Sequence, residues 1–424
     1  MTLIGFGILL LALFGTPLFV IIGSVTLLLY FSSGDFGPVD IFIELNRMAS
    51  SPTLLAIPLF TFAGYMLAES DTPKRIVRLS DAALGWLPGG LAIVALCSCA
   101  FFTAFTGASG VTIIALGGLL FPVLLKDNYP ERFSLGLLTS SGSLGLLFPP
   151  SLAIILYGMV SGTSIDQLFL AGILPGILLI VLLSAYSIYK GRGRITEKAK
   201  FSWSEFGKAL RHSVWEIPMP FIIIIGIYSG KFTATEAAAV IAVYIFIVEV
   251  FIYRDIHITR DIPGIMRESM ILVGSILVIL GVALALTDYL TFELVPQRIL
   301  EAMQTFITSK IMFLIVLNIF LLIVGCLMDI FSAIFVVVPL IYPIAVEFGV
   351  DPVHLGIIFL TNLEIGYSTP PVGLNLFIAS YRFDQPIFRL YRAAIPFLII
   401  LFLALLIITY VPALSLTLVR WFGS

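Results

Sequence analysis

The chain has 424 residues, 60% of them hydrophobic and only 11% charged, with a formal net charge of −2. Soluble domains carry about a quarter charged residues, so this composition and a mean hydropathy of +1.12 exclude a water-soluble globular enzyme and describe an all-α polytopic membrane protein. No block of like charge offers a footprint for nucleic acid. Three cysteines (Cys97, Cys99, Cys326) and three histidines (His212, His257, His354) are too scattered for a disulfide framework or a metal site.

The first thirty residues are apolar, with no basic n-region and no small-residue cleavage site, and read as membrane helix rather than a signal peptide. Measured against the ~20 residues that cross hydrocarbon, apolar stretches fall near 1–14, 16–31, 53–69, 89–125, 133–160 and 167–190. A second series follows near 215–229, 233–254, 267–290, 311–345, 353–380 and 393–415. Residues 1–190 thus form one repeat, 191–214 a linker, and 215–424 a second repeat. The stretches 89–125 and 311–345 are too long for one span and too short for two with an ordinary loop. Each carries small and polar residues at its middle, Thr106 to Gly110 and Gly325 to Ser332, as a helical hairpin that enters and leaves on one side requires. In the linker, Phe201, Trp203, Phe206 and Leu210 alternate with Lys200, Glu205, Lys208 and Arg211, a pattern that fits an amphipathic interfacial helix or a solvated tether. Glu236, after Thr233, reads as a capping box at a helix start.

The two halves repeat one another. Pro149-Pro150 and Pro370-Pro371 stand 221 positions apart, as do Pro122 and Pro343, and Gly145 and Gly366. Each proline pair interrupts an apolar run, at 133–160 and 353–380, that would otherwise be a continuous helix. Five crossings and one hairpin per half make an odd number, so the second half is inserted upside down: an inverted-topology repeat. Basic residues agree with one orientation. The linker (Lys190 to Arg211), Lys74 to Arg78, Lys126 with Arg132, Arg254 with Arg260, and Arg382 with Arg389 all fall on the cytoplasmic side, while 346–352 is acidic and outside.

Broken helices free carbonyls and amides that lipid cannot satisfy, so they are tolerated only against protein or a water-filled cavity. A small desolvated cation needs several oxygen ligands, which unwound backbone supplies. Two pseudo-symmetric cation sites follow, each between a hairpin tip and the break of its own half. Asp329, at the second tip, is the acidic residue best placed to meet a cation or a substrate, with Thr106, Ser141, Asn362 and Ser368 as further candidate substrate contacts. Glu364, beside the second break, is either functional or solvated in a vestibule. Among rivals, an ion channel also uses re-entrant hairpins. An intramembrane hydrolase built on Ser109 or Ser141 has no histidine in the broken segments to activate it. No Gly-x-x-x-x-Gly-Lys-Ser/Thr loop is present for ATP hydrolysis.

Across essentially its whole length the sequence resembles the large membrane subunit of the TRAP (tripartite ATP-independent periplasmic) transporters. The resemblance is carried by Ile57 to Phe60 with Ala63-Gly64, Thr106 to Thr112, Leu144 to Ser151, Gly172 to Gly176, Phe232 to Glu236, Gly325 to Asp329, and Asn362 to Gly366 followed by Thr369 to Gly373. It implies a sodium-coupled, elevator-type importer in the bacterial inner membrane, taking a C4-dicarboxylate, sugar acid or related organic acid from a periplasmic substrate-binding protein. A separate small four-helix membrane subunit is the second implied partner; an ion-coupled carboxylate transporter without a binding protein is the alternative. At least two sodium ions are implied. By motif position the first would use Ser109 and carbonyls near Val111, Gly145, Phe148 and Pro150, and the second Gly325, Gly366, Thr369 and Val372. The first tip has fewer serines than many members, so Val111 offers its carbonyl alone.

Overall fold

Every regular element among the described residues is helical, as hydrocarbon demands of a backbone that must satisfy its own polar groups. The computed structural model describes residues 16–33, 37–191, 201–307 and 309–422. The apolar stretch at 1–14 and the basic residues Arg192 to Lys200 of the linker lie outside them.

The first half contains α1 (Leu18–Ser33), α2 (Pro38–Ala49), α3 (Ala56–Glu69), α4 (Thr72–Leu84), α5 (Gly90–Thr106), α6 (Ser109–Lys126), α7 (Glu131–Ser141), α8 (Leu152–Ser161) and α9 (Ile165–Gly191). After α10 (Trp203–His212) the second half runs through α11 (Pro218–Tyr228), α12 (Ala234–Ile252), α13 (Ile262–Phe292) and α14 (Val295–Gln304). It ends with α15 (Lys310–Leu327), α16 (Ile330–Glu347), α17 (Pro352–Gly366), α18 (Leu374–Phe383), α19 (Ile387–Tyr410) and α20 (Ala413–Phe422). Seven of these elements, and α3 together with the 3₁₀ turn that precedes it (Pro52–Leu55), are long and apolar enough to cross a membrane.

Both long runs are helix–turn–helix units. Gly107 turns the first in the left-handed region at φ +66°, where a residue without Cβ is at no disadvantage. Met328 and Asp329, both extended, turn the second. The arms α6, α15 and α16 each reach the length and hydropathy of a span, so length alone did not mark them as hairpin arms. Each proline pair is a break. A short 3₁₀ turn (Leu144–Leu147) and extended Phe148 separate α7 from α8, which are bent by 47°. Residues 367–373 separate α17 from α18. Both Pro-Pro bonds are cis.

Caps fix where the chain re-enters helix. Ser151 accepts from Ile154 N at 3.4 Å, Asp351 from Val353 N at 2.9 Å, and Asp329 from Ser332 N at 3.0 Å. The capping box at Thr233 forms: Glu236 N donates to Thr233 Oγ1 at 3.2 Å and Thr233 N to Glu236 Oε2 at 2.8 Å.

Four helices were not anticipated: α2, α4, α14 and α20. The first three carry charges among their apolar residues, and all four have only 10 to 13 residues, short of a span, so a search for long apolar runs passed over them. In the linker the helical reading was the right one. α10 covers Trp203–His212, packs on α4 and seats Phe201 edge-on to Trp86 at 6.3 Å.

One buried guanidinium ties three elements together. Arg75 on α4 meets Glu249 in the π-helical end of α12 at 3.0 Å, Asp255 beyond it at 2.5 Å, and Glu216 ahead of α11 at hydrogen-bonding contact. Glu249 is fully buried, Tyr253 lies against the guanidinium face at 3.8 Å, and Thr72 donates to Glu249 at 2.9 Å. Arginine suits this place because its planar fork serves several carboxylates at once.

Candidate functional site: paired hairpins and breaks around one cavity

Each hairpin lies against the break of its own half, and glycine is what lets the backbones meet. A Cβ on Gly145 would sit 2.3 Å from the Ala100 carbonyl oxygen and 2.4 Å from the Ala104 amide, so the first break rests directly on α5. Thr103 Oγ1 donates to the Gly142 carbonyl at 2.8 Å and shares a 2.6 Å contact with Thr112 Oγ1 across the hairpin turn. In the second half a Cβ on Gly366 would lie 2.5 Å from the Gly325 carbonyl carbon. Gly373 N donates to the Cys326 carbonyl at 3.0 Å, and Ile330 N donates to the Tyr367 hydroxyl.

The two breaks also touch. Ser143 and Glu364 occupy equivalent positions of the repeat, and Ser143 Oγ donates to the Glu364 carbonyl at 3.4 Å. Asn375 reinforces the seam, approaching the Thr139 carbonyl at 3.5 Å and Ser143 Oγ at 3.4 Å while its own amide donates to Tyr367 at 3.0 Å. Two positions related by the repeat offset, Ser143 and Glu364, therefore meet in the buried interior.

In front of the tips lies a cavity of about 480 Å³. Ser109, Gly110 and Val111 of the first tip, Asp329 and Ile330 of the second, and Tyr367 form one wall. Tyr65 on α3 and Leu272, Ser275, Ile276 and Ile279 on α13 form the other. Asp329 is the sole charged residue in that lining among the described residues, and its carboxylate is held by Ser332, whose hydroxyl and amide both donate to it.

The residues expected at the site do not all reach the cavity. Asp329, Ser109 and Val111 line it. Thr106, Ser141, Asn362 and Ser368 are buried behind it. Asn362 Nδ2 donates to Asn318 on α15 at 2.7 Å and to the Ile358 carbonyl at 2.8 Å, and Ser141 Oγ donates to the Leu138 carbonyl at 3.4 Å. Thr106 Oγ1 and Ser368 Oγ have no hydrogen-bond partner among the described residues. Gly145 and Pro150 are buried at the first break, where half-buried Phe148 packs on Gly176; Gly325 and Gly366 are buried at the second. Thr369 is half-buried, with Oγ1 donating to the Ile365 carbonyl at 2.8 Å, and Val372 is exposed at the rim. Glu364 is fully enclosed with neither carboxyl oxygen partnered, so the vestibule reading of that residue does not hold. Tyr65, Tyr367 and Ser275 were missed. Tyr367, next to Gly366, was within reach of the repeat pattern, whereas Tyr65 and Ser275 look like ordinary span residues.

Chemically the breaks offer hard oxygen donors: backbone carbonyls, the hydroxyls of Thr106, Ser109, Ser368 and Thr369, and two carboxyl groups, Asp329 at the cavity and buried Glu364 beside the second break. Oxygen ligands of this kind suit hard cations. Among the described residues no cluster of three His, Cys, Asp or Glu side chains exists that would hold a metal ion in a dedicated site.

The sequence model of the family described as the tripartite ATP-independent periplasmic transporter, DctM component, matches residues 6–414. The chain belongs to this family. It is 39% identical over 402 residues to the C4-dicarboxylate TRAP transporter large permease protein DctM of Pseudomonas aeruginosa, covering 95% of this chain and 93% of that protein. It is 34% identical over 438 residues to the DctM protein of Rhodobacter capsulatus, covering 99% of each. The isethionate TRAP transporter permease protein DctMQ of Oleidesulfovibrio alaskensis is 35% identical over 406 residues, 95% of this chain and 64% of that longer protein. These relatives are transporter permeases and not enzymes, so this DctM-family chain is a multi-pass TRAP large permease. Among solved structures, that of the Alcanivorax borkumensis YdaH transporter shares the fold, with a TM-score of 0.58 at 15% identity over 90% of this chain and 88% of that one.

Proposed function

We propose that this large permease imports a small organic acid across the bacterial inner membrane, drawing on the inward sodium gradient and receiving its substrate from a periplasmic binding protein. A small four-helix membrane subunit completes the transporter. The single observation that carries the reading is the convergence of two hairpin–break pairs on one cavity that, among the described residues, contains a carboxylate and no basic side chain. An anion entering there meets no lysine or arginine, so cations held at the adjacent breaks must supply the positive charge that offsets it. Ser109 with carbonyls of Val111, Gly145, Phe148 and Pro150 would hold one sodium ion, and Gly325, Gly366, Thr369 and Val372 a second.

The hairpins and broken helices move together against α3 and α13 in an elevator-like step. The unpartnered hydroxyls of Thr106 and Ser368 and the close backbone approach at Gly145 and Gly366 favour this assignment. C4-dicarboxylates and isethionate, named for the relatives above, support a substrate class of small acids with one or two anionic groups. The test is uptake into vesicles containing both membrane subunits, supplied with loaded binding protein. Replacing sodium by choline should abolish accumulation, and undiminished uptake would end the coupling claim.

A further inference from the structure

A second cavity, of about 470 Å³, adjoins the first at Tyr65, and α3 and α13 contribute to the lining of both. On α13, Ile265 and Glu268 face the second cavity and Leu272, Ile276 and Ile279 the first, at spacings of three and four residues that trace one stripe along a helix. On α3, Glu69 faces the second cavity one turn from Tyr65. Tyr65 is the residue common to both linings. The second cavity is acidic: Glu69, Asp255, Asp261 and Glu268 stand against Arg260. Asp255 is tied to Arg75 at 2.5 Å, Glu268 to Arg267 at 2.9 Å, and Asp261 lies 3.8 Å from Arg260, while Glu69 forms no ion pair among the described residues.

We infer that the two cavities are one route between the hairpin tips and the cytoplasm, with Tyr65 as its constriction and the acidic outer half as a filter that favours cations. This rests on the transport reading above. Orientation follows from the basic residues of the same loop, Arg254 and Arg260, on the cytoplasmic side. With four carboxylates against one arginine in its lining the outer cavity is net negative, and a cleft with an excess of one sign concentrates counter-ions and repels ions of its own sign. A cation leaving the breaks is thus drawn outward, and a free carboxylate is opposed unless a cation travels with it.

The experiment places a cysteine at Ser275, in the inner cavity, in the two-subunit complex with the native cysteines retained and the unsubstituted complex as blank. Labelling by a membrane-impermeant cationic reagent (trimethylammonium methanethiosulfonate) and an anionic one (sulfonate methanethiosulfonate) is timed from each face of oriented vesicles. Ser275→Cys should react from the cytoplasmic face. Tyr65→Ala should raise the rates of both reagents by the same several-fold factor, and Tyr65→Trp, which keeps an aromatic ring should the alanine variant fold poorly, should lower both. Glu69→Gln with Glu268→Gln should leave Tyr65's effect intact but cut the cation-to-anion rate ratio by about tenfold. Rates indifferent to the size of residue 65, or reaction only from the opposite face, would overturn the route, and an unchanged ratio would overturn the filter. Labelling needs neither sodium nor substrate, so a failure of sodium-dependent uptake would refute the coupled-import reading separately.

Discussion

Gly145→Ala tests the first break most directly. The added methyl carbon would lie 2.3 Å from the Ala100 carbonyl oxygen, 2.4 Å from the Ala104 amide and 2.6 Å from Thr103 Cβ, all on α5, where ordinary contact begins at 3.4 Å. Two of those atoms are backbone, so the break must retreat from α5 by about 1 Å, at an overpacking cost of about 1–3 kcal/mol. Metal ligand distances tolerate only about 0.2 Å, so on the proposed sodium assignment the carbonyls of Gly145 and Phe148 should leave coordinating position and the first ion should be lost. Saturating ligand at about 100 times its Kd stabilises a fold by about 2.7 kcal/mol per site. The readout is thermal unfolding of the purified complex in sodium chloride against choline chloride at matched ionic strength. The variant should lose about half of the sodium-induced rise in Tm, while Gly274→Ala, with nothing within 4 Å of its new methyl, should keep all of it. A Gly145→Ala complex that folds and retains the whole rise would refute the reasoning.

Asp329→Asn keeps a good helix cap and removes the cavity's one charge, so uptake should fall more than about tenfold, a barrier change of about 1.4 kcal/mol, with Tm nearly unchanged; equal losses of both would mean that the residue is structural. Arg75→Ala leaves three carboxylates facing one another in a largely buried pocket and should destabilise the protein by about 3–5 kcal/mol, measured by thermal or denaturant unfolding. Arg75→Lys should recover only part of this, because one ammonium cannot serve three acceptors on three elements. Thr233→Ala opens the capping box at the start of α12 and should cost about 1 kcal/mol, visible as a small drop in Tm with sodium-dependent uptake retained.

The breaks and hairpins were legible because proline, glycine, serine and threonine have little other reason to interrupt apolar runs at a fixed offset. Gly145 and Gly366 could be paired from the sequence, and the structure sets both against hairpin backbone. Short amphipathic helices were not legible: α4 mixes Lys74, Arg75, Arg78 and Asp81 with its apolar residues and never forms a long hydrophobic run. Asn362 shows a second limit. Its spacing from Gly366 places it near the break, but which face of α17 it occupies depends on where α15 packs, and that contact turns its amide to Asn318. Tyr65 shows a third, since an aromatic residue inside an apolar span is indistinguishable from core until the cavity beside it is seen.

The seam at Ser143 bears on how the chain is made. The first break is held by Glu364 and Asn375, Glu131 pairs with Arg389 at 2.6 Å, and a Cβ on Gly136 would meet the Ala393 carbonyl at 2.2 Å. All of these partners are translated more than two hundred residues later. A nascent chain stopped at the linker keeps the first break on α5 but leaves Ser143, Gly136 and Glu131 without these partners, at several kcal/mol for each polar group that lipid would leave unsatisfied. Completion of the amino-terminal half must therefore wait on insertion of the carboxy-terminal one, and until then that half is a natural client for whatever shelters unfinished membrane proteins.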